Sequence, residues 1–404
     1  MKNHLFLLTI LCLLKESVHL NNKLAMNLEK ATIILDKILK DYRKEVVPIY
    51  NNKPVTVKTN LRINDMVPLE NIPKHFSLHF TLRMTWEDKR LAFDENTPDL
   101  YAAFDEKVSN QIWIPNIYFP LGKKGVFHDT IAPNVFVLIY GNGTIKYSQR
   151  LSVLSFCPMT YQYYPFDIQE CLFLIETFQQ SKSYVILEWM IVPIEKAGED
   201  LFLRDYTHVQ ISPNVTERIG DYNMSFNTLQ VKFTLHRDFS PHFLRDYFPC
   251  ILTVALSWVS FFVDYKVTPA RVTFGITTIL TIVTMSNSIR STAPSANTIR
   301  SLDYYMMICM LFVFGALVEF AIVGITDPKM SPPWLKQKRE LEKNSKHHLL
   351  SSGRKGIALG PFLFFTDHTH FIDDCSKVAF PSMFLFLNAV YFVYHNIHPQ
   401  TVNI

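Results

Sequence analysis

The sequence carries little net charge, few cysteines and no catalytic signature, and each shortage removes a class of function. A formal charge of +4 over 404 residues comes with no basic stripe interleaved with aromatics, which argues against a nucleic-acid partner. No nucleophile elbow, phosphate loop or zinc-hydrolase motif stands in the chain, so nothing points to an enzyme or to a cofactor. Asp367-His368-Thr369-His370 with Asp373 and Asp374 offers metal-ligand residue types. It lacks a cysteine partner and helical spacing, and reads as a solvated tail rather than a metal site. Of six cysteines, Cys12 falls in an N-terminal apolar run, and Cys250, Cys309 and Cys375 lie in or beside later apolar segments. Cys157 and Cys171 are left in the polar part of the chain, thirteen residues between them.

What is present is unevenly spread. The hydrophobic share is 48% overall, but the first 240 residues read as a soluble protein and the apolar mass follows Tyr247. Lys2 and the apolar run Leu5 to Leu14 are too short to span a bilayer and resemble a secretory signal peptide, residues 1–20. No small-x-small step marks a cleavage point near Ser17 to Leu20. Three sequons, at Asn142, Asn214 and Asn223, suit an exported, glycosylated segment.

Residues 26–42 place Leu28, Ile33, Ile34, Leu35, Ile38 and Leu39 at helical spacing, predicting a helix that ends near Pro48. Period-two runs then take over, such as Phe76 to Arg83 and Gln230 to Leu235, and Asn142-Gly143 separates two of them as a hairpin turn. Strands at this density over residues 21–245 predict an all-β sandwich outside the cell, preceded by the N-terminal helix.

Tyr247 to Val263, Tyr304 to Ile325 and Val378 to Tyr394 are apolar runs close to spanning length, and Pro269 to Ile289 is a more polar fourth. Four spans predict a transmembrane helical bundle: three helices in residues 246–325, a cytoplasmic loop at 326–376, and a last helix with an outside C-terminus in 377–404. The loop carries Lys336, Lys338, Arg339, Lys343, Lys346, Arg354 and Lys355, as the positive-inside rule asks.

In the second span Thr273, Thr277, Leu280, Thr284 and Asn287 follow steps of 4, 3, 4 and 3, which puts them on one helical face. Such a stripe can belong to an ordinary helix whose threonines bond their own backbone. A single helix cannot line a water-filled pore, so a pore needs several copies around an axis. Pro269-Ala270-Arg271 stands at the cytoplasmic end with no acidic neighbour. In a ring of five, each arginine at ~7 Å contributes ~0.6 kcal/mol to a passing anion, ~3 kcal/mol together, or ~1 kcal/mol after screening. Leu280 is the natural hydrophobic constriction.

The residues from Cys157 to Cys171, with Tyr164-Pro165-Phe166-Asp167 near the end, resemble the Cys-loop of the pentameric neurotransmitter-gated ion channels. So do Trp86 to Leu91, Ile112 to Asn116, Leu256 to Phe262, Pro269-Ala270-Arg271 with Gly275 to Thr278, Phe312 to Phe320, and Ile372 to Lys377. These ordered matches cover nearly the whole chain and are most similar to the anion-selective branch, which contains the 4-aminobutyrate (GABA) and glycine receptors. The resemblance implies a Cys157–Cys171 disulfide, worth roughly 3 kcal/mol of chain entropy. It further implies a homo- or hetero-pentamer, multi-pass in the plasma membrane at a neuronal, postsynaptic site, in contact with lipid, binding a small-molecule neurotransmitter and passing chloride ions.

By the same resemblance an aromatic cage for an ammonium group comprises Tyr118, Glu176, Phe178 and Tyr222 or Phe226. The opposite face supplies Arg83 and Ser152, and Arg83 can fork onto a carboxylate. Arg83 and Glu176 are expected to be unpaired charges. Pro165, Asp167 and Arg237 are expected to couple binding to the pore, together with the loop from Ser291 to Leu302. Departures are the missing cysteine pair around residues 217–227, Phe178 in place of a tyrosine, and Ser295 where relatives often carry lysine. GABA, a biogenic amine and an unrelated small molecule all remain open as ligands. An accessory subunit that works only in heteromers and a non-conducting adhesion receptor are the other readings, the latter needing no threonine-faced helix.

Overall fold

The computed structural model describes residues 28–68, 74–94, 96–129, 131–198, 205–263, 267–294, 296, 298–326, 337, 369–397 and 400–401. The proposed signal peptide, Ser295, Asp367, His368 and the basic residues expected in the cytoplasmic loop lie outside the described residues. The chain divides into two compact units. One comprises Met1–Met159, Gln169–His236 and Val402–Ile404; the other comprises Thr160–Ile168 and Arg237–Thr401.

The first unit opens with helix α1 (Leu28–Leu39) and continues in strands. They are β1 (Val55–Pro68), β2 (His75–Glu87), β3 (Tyr101–Phe104), β4 (Ile117–Tyr118), β5 (Gly122–Phe127) and β6 (Val135–Tyr140), followed by β7 (Thr144–Phe156), β8 (Asp167–Thr177), β9 (Val185–Lys196), β10 (Tyr206–Ile219) and β11 (Ser225–Arg237). One sheet runs β3-β6-β7-β2-β1-β9, with β5 also on β7; the other runs β10-β11-β8, with β4 on β8. Strand β2 alternates half-buried and buried residues from His75 to Trp86, as a strand with one face on a core must. Its inward Phe80 meets Phe173 of β8 at 5.4 Å between ring centroids, and Trp86 meets Trp113 at 6.0 Å. The turn before β7 needs glycine at 143, where φ is +86° and a side chain would strike the Asp88 carbonyl oxygen. Beyond α1, Tyr42 donates to the fully buried Asp88 at 2.7 Å, and Arg90 forks onto the same carboxylate. That network ties the N-terminal segment to the sheet.

The second unit is helical. Its first span is continuous from Phe239 to Phe262 but not uniform. A π-helical turn, Phe243–Tyr247, precedes α2 (Phe248–Trp258), and a 3-10 turn, Val259–Phe262, follows it. Pro249 has no N–H to give the preceding turn, so the ladder slips to wider bonds there. Helices α3 (Thr268–Thr292), α4 (Ser301–Thr326) and α5 (Thr369–Ile397) are each long and apolar enough to cross a membrane. Helix α5 begins eight residues before the expected boundary at 377. Asp373, Asp374 and Lys377 lower hydropathy without hindering helix formation, and a Lys377–Asp374 ion pair of 2.8 Å sits on its first turns. The sequence stretch from Thr369 to Asp374 is therefore helical rather than a loop. The bundle core is built from Tyr247, Cys250, Tyr305, Cys309, Phe312 and Phe384.

Candidate functional site

Strand pairing assembles the first cluster. Tyr118 of β4 stands directly across from Glu176 of β8, and its hydroxyl donates to the carboxylate at 3.2 Å. The Glu176 side chain is 1% exposed, so its charge needs partners. Arg218 of β10 supplies them, its Nε donating at 2.9 Å and 3.1 Å and its Nη2 donating as well. Thr228 of β11 adds a bond of 2.9 Å. Burial pushes the Glu176 carboxyl up, but the bonds from Arg218 and Thr228 outweigh it and hold the group below its ordinary value. Tyr118 is raised, first by burial and then by the Glu176 charge.

Aromatic groups surround this pair. Phe178 meets Tyr118 edge-on at 5.3 Å and is exposed. Phe226 is buried, with the Arg218 guanidinium 5.3 Å from its ring centroid. Gly220 lets the β10–β11 hairpin close over that ring, because a side chain there would strike Phe226. Tyr222 stands apart: it is 93% exposed, at φ +57° on the hairpin tip. Of the expected alternatives, Phe226 joins the cluster and Tyr222 does not.

The expectation that Glu176 and Arg83 are unpaired is overturned. Arg83 on β2 donates to Glu195 of β9 at 2.9 Å, and Asn60 donates to the same carboxylate at 3.3 Å. Ser152 is also placed differently. The β2–β7 register sets Ser148 across from Arg83 and Ser152 across from His79, four residues or ~13 Å along the strand. The Ser152 hydroxyl bonds both His79 and His128. Ser148 is the cross-strand neighbour of Arg83, and sequence spacing alone does not reveal cross-strand register.

Cys157 and Cys171 are disulfide-bonded, and the peptide bond before Pro165 is cis. The tip of the loop they close, Thr160–Ile168, belongs to the helical unit. Asp167 receives Arg237 in a fork of 2.7 Å and 3.0 Å, with side chains 1% and 3% exposed. The Arg237 guanidinium lies 4.9 Å from the Tyr164 ring centroid. Phe166 stacks on Phe239 at 4.6 Å and on His395 of α5 at 4.6 Å. At the start of α4, the amides of Ser301 and Leu302 donate to the carbonyls of Gln162 and Tyr164 at 2.9 Å and 3.2 Å. Asp167 and Arg237 are thus joined by one buried ion pair, and Pro165 sits inside that loop.

On α3, Arg271, Thr278, Ile282, Ser286 and Ile289 are buried, while Thr273, Thr277, Leu280 and Thr284 are exposed on the other side. Arg271 is 1% exposed, and its Nε donates to the Val263 carbonyl at 2.8 Å while Nη2 reaches Val263 and Phe261. Arg271 is thus buried against the end of the preceding helix, away from the exposed threonines. The threonine hydroxyls bond backward to their own helix: Thr273 to Pro269, Thr277 to Thr273 and Thr284 to Leu280, at 2.8 Å, 2.7 Å and 3.0 Å. The same residues form an exposed stripe. Pro269 is exposed and Ala270 half-buried at its N-terminal end.

Residues 31–239 match the neurotransmitter-gated ion-channel ligand binding domain, and residues 246–355 match the neurotransmitter-gated ion-channel transmembrane region. The chain belongs to the neurotransmitter-gated ion-channel family. Among its relatives, a glutamate-gated chloride channel of Drosophila melanogaster is 32% identical over 346 residues, 81% of this chain and 75% of that protein. Gamma-aminobutyric acid receptor subunit alpha-4 of Rattus norvegicus is 33% identical over 329 residues, 79% of this chain and 59% of its own length. Gamma-aminobutyric acid receptor subunit rho-2 of Mus musculus is 26% identical over 407 residues, 87% and 86% of the two chains. The family accounts for a β-sandwich followed in the chain by membrane-spanning helices, and it is a family of channels rather than enzymes. Of the sequons in this family member, Asn214 and Asn223 are exposed, whereas the Asn142 side chain accepts the Thr144 amide at 2.9 Å in a turn. Among the described residues no group of three metal-ligating side chains gathers. Arg218, Thr228 and Ser148 escaped the sequence reading. The buried charge of Glu176, which demands a cation nearby in space, is the signal that points to the first of them.

Proposed function

We propose that the chain is a subunit of a neurotransmitter-gated chloride channel, five copies or a mixture with related subunits surrounding one pore in the plasma membrane. The observation that carries this reading is the α3 stripe Thr273, Thr277, Leu280 and Thr284, exposed on the single chain and without an acidic residue beside Pro269-Ala270-Arg271. Helices that begin at this mouth add the positive ends of their backbone dipoles, which favour anions in place of the withdrawn arginine. Leu280, 62% exposed, is the apolar ring that dewets when closed. The transmitter binds at the Tyr118–Glu176–Phe178–Phe226 surface of one subunit, with Arg83 and Ser148 contributed by the next. Movement passes to the pore through Asp167, Arg237 and the loop before α4, as a bias on a closed–open equilibrium. Postsynaptic membrane and glycans at Asn214 and Asn223 complete the proposal. Voltage clamp of cells expressing the full chain tests it: the reversal potential of the agonist-evoked current follows the chloride gradient. A current that follows sodium overturns the reading.

A further inference from the structure

The cage has an occupant of its own. Glu176 accepts bonds from Arg218 Nε and Nη2, Thr228 Oγ1 and the Tyr118 hydroxyl, which fills the lone-pair positions of a carboxylate. The guanidinium that does most of this also sits against the Phe226 ring, where an aromatic cage offers its π face to a cation. We propose that Arg218 permanently holds the cation seat of this pocket, so that the ligand group docking there is a carboxylate rather than an ammonium. The proposal rests on reading this surface as the agonist site, and deepens it.

Three observations favour the carboxylate. Arg218 is tethered on β10, two residues before Gly220 at the hairpin end, so its effective concentration at Glu176 is millimolar or higher. A free ammonium at micromolar concentration therefore competes at a roughly thousandfold disadvantage. Second, the Arg218 side chain is 49% exposed. A guanidinium face open to solvent attracts anions, repels cations and binds carboxylates in a fork. Third, the carboxylate of Glu176 is 1% exposed, so an ammonium meets Arg218 before it meets the charge meant to attract it.

The test uses the purified full-length chain in detergent, with glutarate, L-glutamate, 4-aminobutyrate and tyramine as probes and thermal stabilisation as the binding readout. Chloride current is measured in parallel. Probes with a carboxylate are expected to stabilise the protein, and tyramine is not. In Arg218→Gln the half-maximal concentration for glutarate rises at least tenfold and Arg218→Lys falls between, while tyramine binding is gained at the unmasked Glu176. The double variant Arg218→Gln/Glu176→Gln removes the risk that a stranded buried carboxylate unfolds the protein, and the loss of glutarate binding persists in it. A half-maximal concentration for glutarate unchanged in Arg218→Gln, tyramine binding to the unaltered protein, or no binding of any probe overturns the proposal. Arg218-dependent glutarate binding with no current leaves the proposal standing and removes the channel reading; current evoked by tyramine alone does the reverse.

Discussion

Asp167 and Arg237 show how much one pair of side chains can decide. Both are almost completely buried, so Asp167→Ala strands a guanidinium away from water and is expected to cost ~3–5 kcal/mol. Thermal unfolding and surface expression read that loss. Replacing both, as Asp167→Leu with Arg237→Met, is expected to recover most of the stability while agonist-evoked opening stays impaired, which separates holding the fold from relaying movement. Glu176 sets a different limit. Its carboxyl is lowered in the folded protein, so its pairing stabilises the fold above the unfolded value of about 4.3 and is lost as pH falls through the lowered native one. Melting temperature is therefore expected to hold from neutral pH to about 5 and to fall below ~4, with a shallower fall in Glu176→Gln. The residue scale was also where sequence was least legible. Tyr118, Glu176 and Phe178 could be named because local motifs carry them, but Arg218 and Ser148 enter through strand pairing between segments far apart in the chain. The side on which Arg271 sits was set by carbonyls of the preceding span, which spacing within α3 does not show.

Elements were easier to read than contacts. Period-two runs located β2 and β11, and hydropathy located three of the four spans nearly to their ends, because burial against a core or lipid writes a pattern into consecutive residues. The pattern failed where chemistry and hydropathy part company, at the charged first turns of α5 and at Pro249, which breaks the first span into unlike turns. Helix α3 gives the element-scale expectation. Leu280→Thr places a hydroxyl in the constriction while leaving the buried stripe from Arg271 to Ile289 alone. Agonist sensitivity is expected to rise about tenfold or more, or spontaneous current to appear, ~1.4 kcal/mol of lost closed-state preference per decade. A dose–response curve unchanged at normal surface expression removes Leu280 as the gate. Arg271→Gln is expected to damage folding more than selectivity, since its guanidinium bonds the Val263 carbonyl instead of facing the stripe; yield and reversal potential measured together distinguish the two effects.

At the scale of the assembled channel, selectivity belongs to the ring and not to the chain. Ala270→Glu adds a negative charge per copy at the mouth of the pore, and the reversal potential is expected to move away from the chloride value toward that of the cations. The fold class and channel type were legible because they are written in many ordered motifs along the length of the chain, whereas the ligand is written in a few side chains brought together by the fold. The uncovered face of α3 carries one more consequence, which concerns inheritance. Each copy presents Thr273, Thr277, Leu280 and Thr284 on a surface that its own bundle does not bury, so in the proposed pentamer every subunit contributes to the same narrow passage. If a cell makes equal amounts of a normal chain and one altered on this face, random assembly of five leaves about 3% of closed rings wholly normal. In the proposed homopentamer an allele damaged at the stripe is therefore expected to act dominantly, whereas one that prevents folding before assembly removes its own product from the ring and is expected to act recessively.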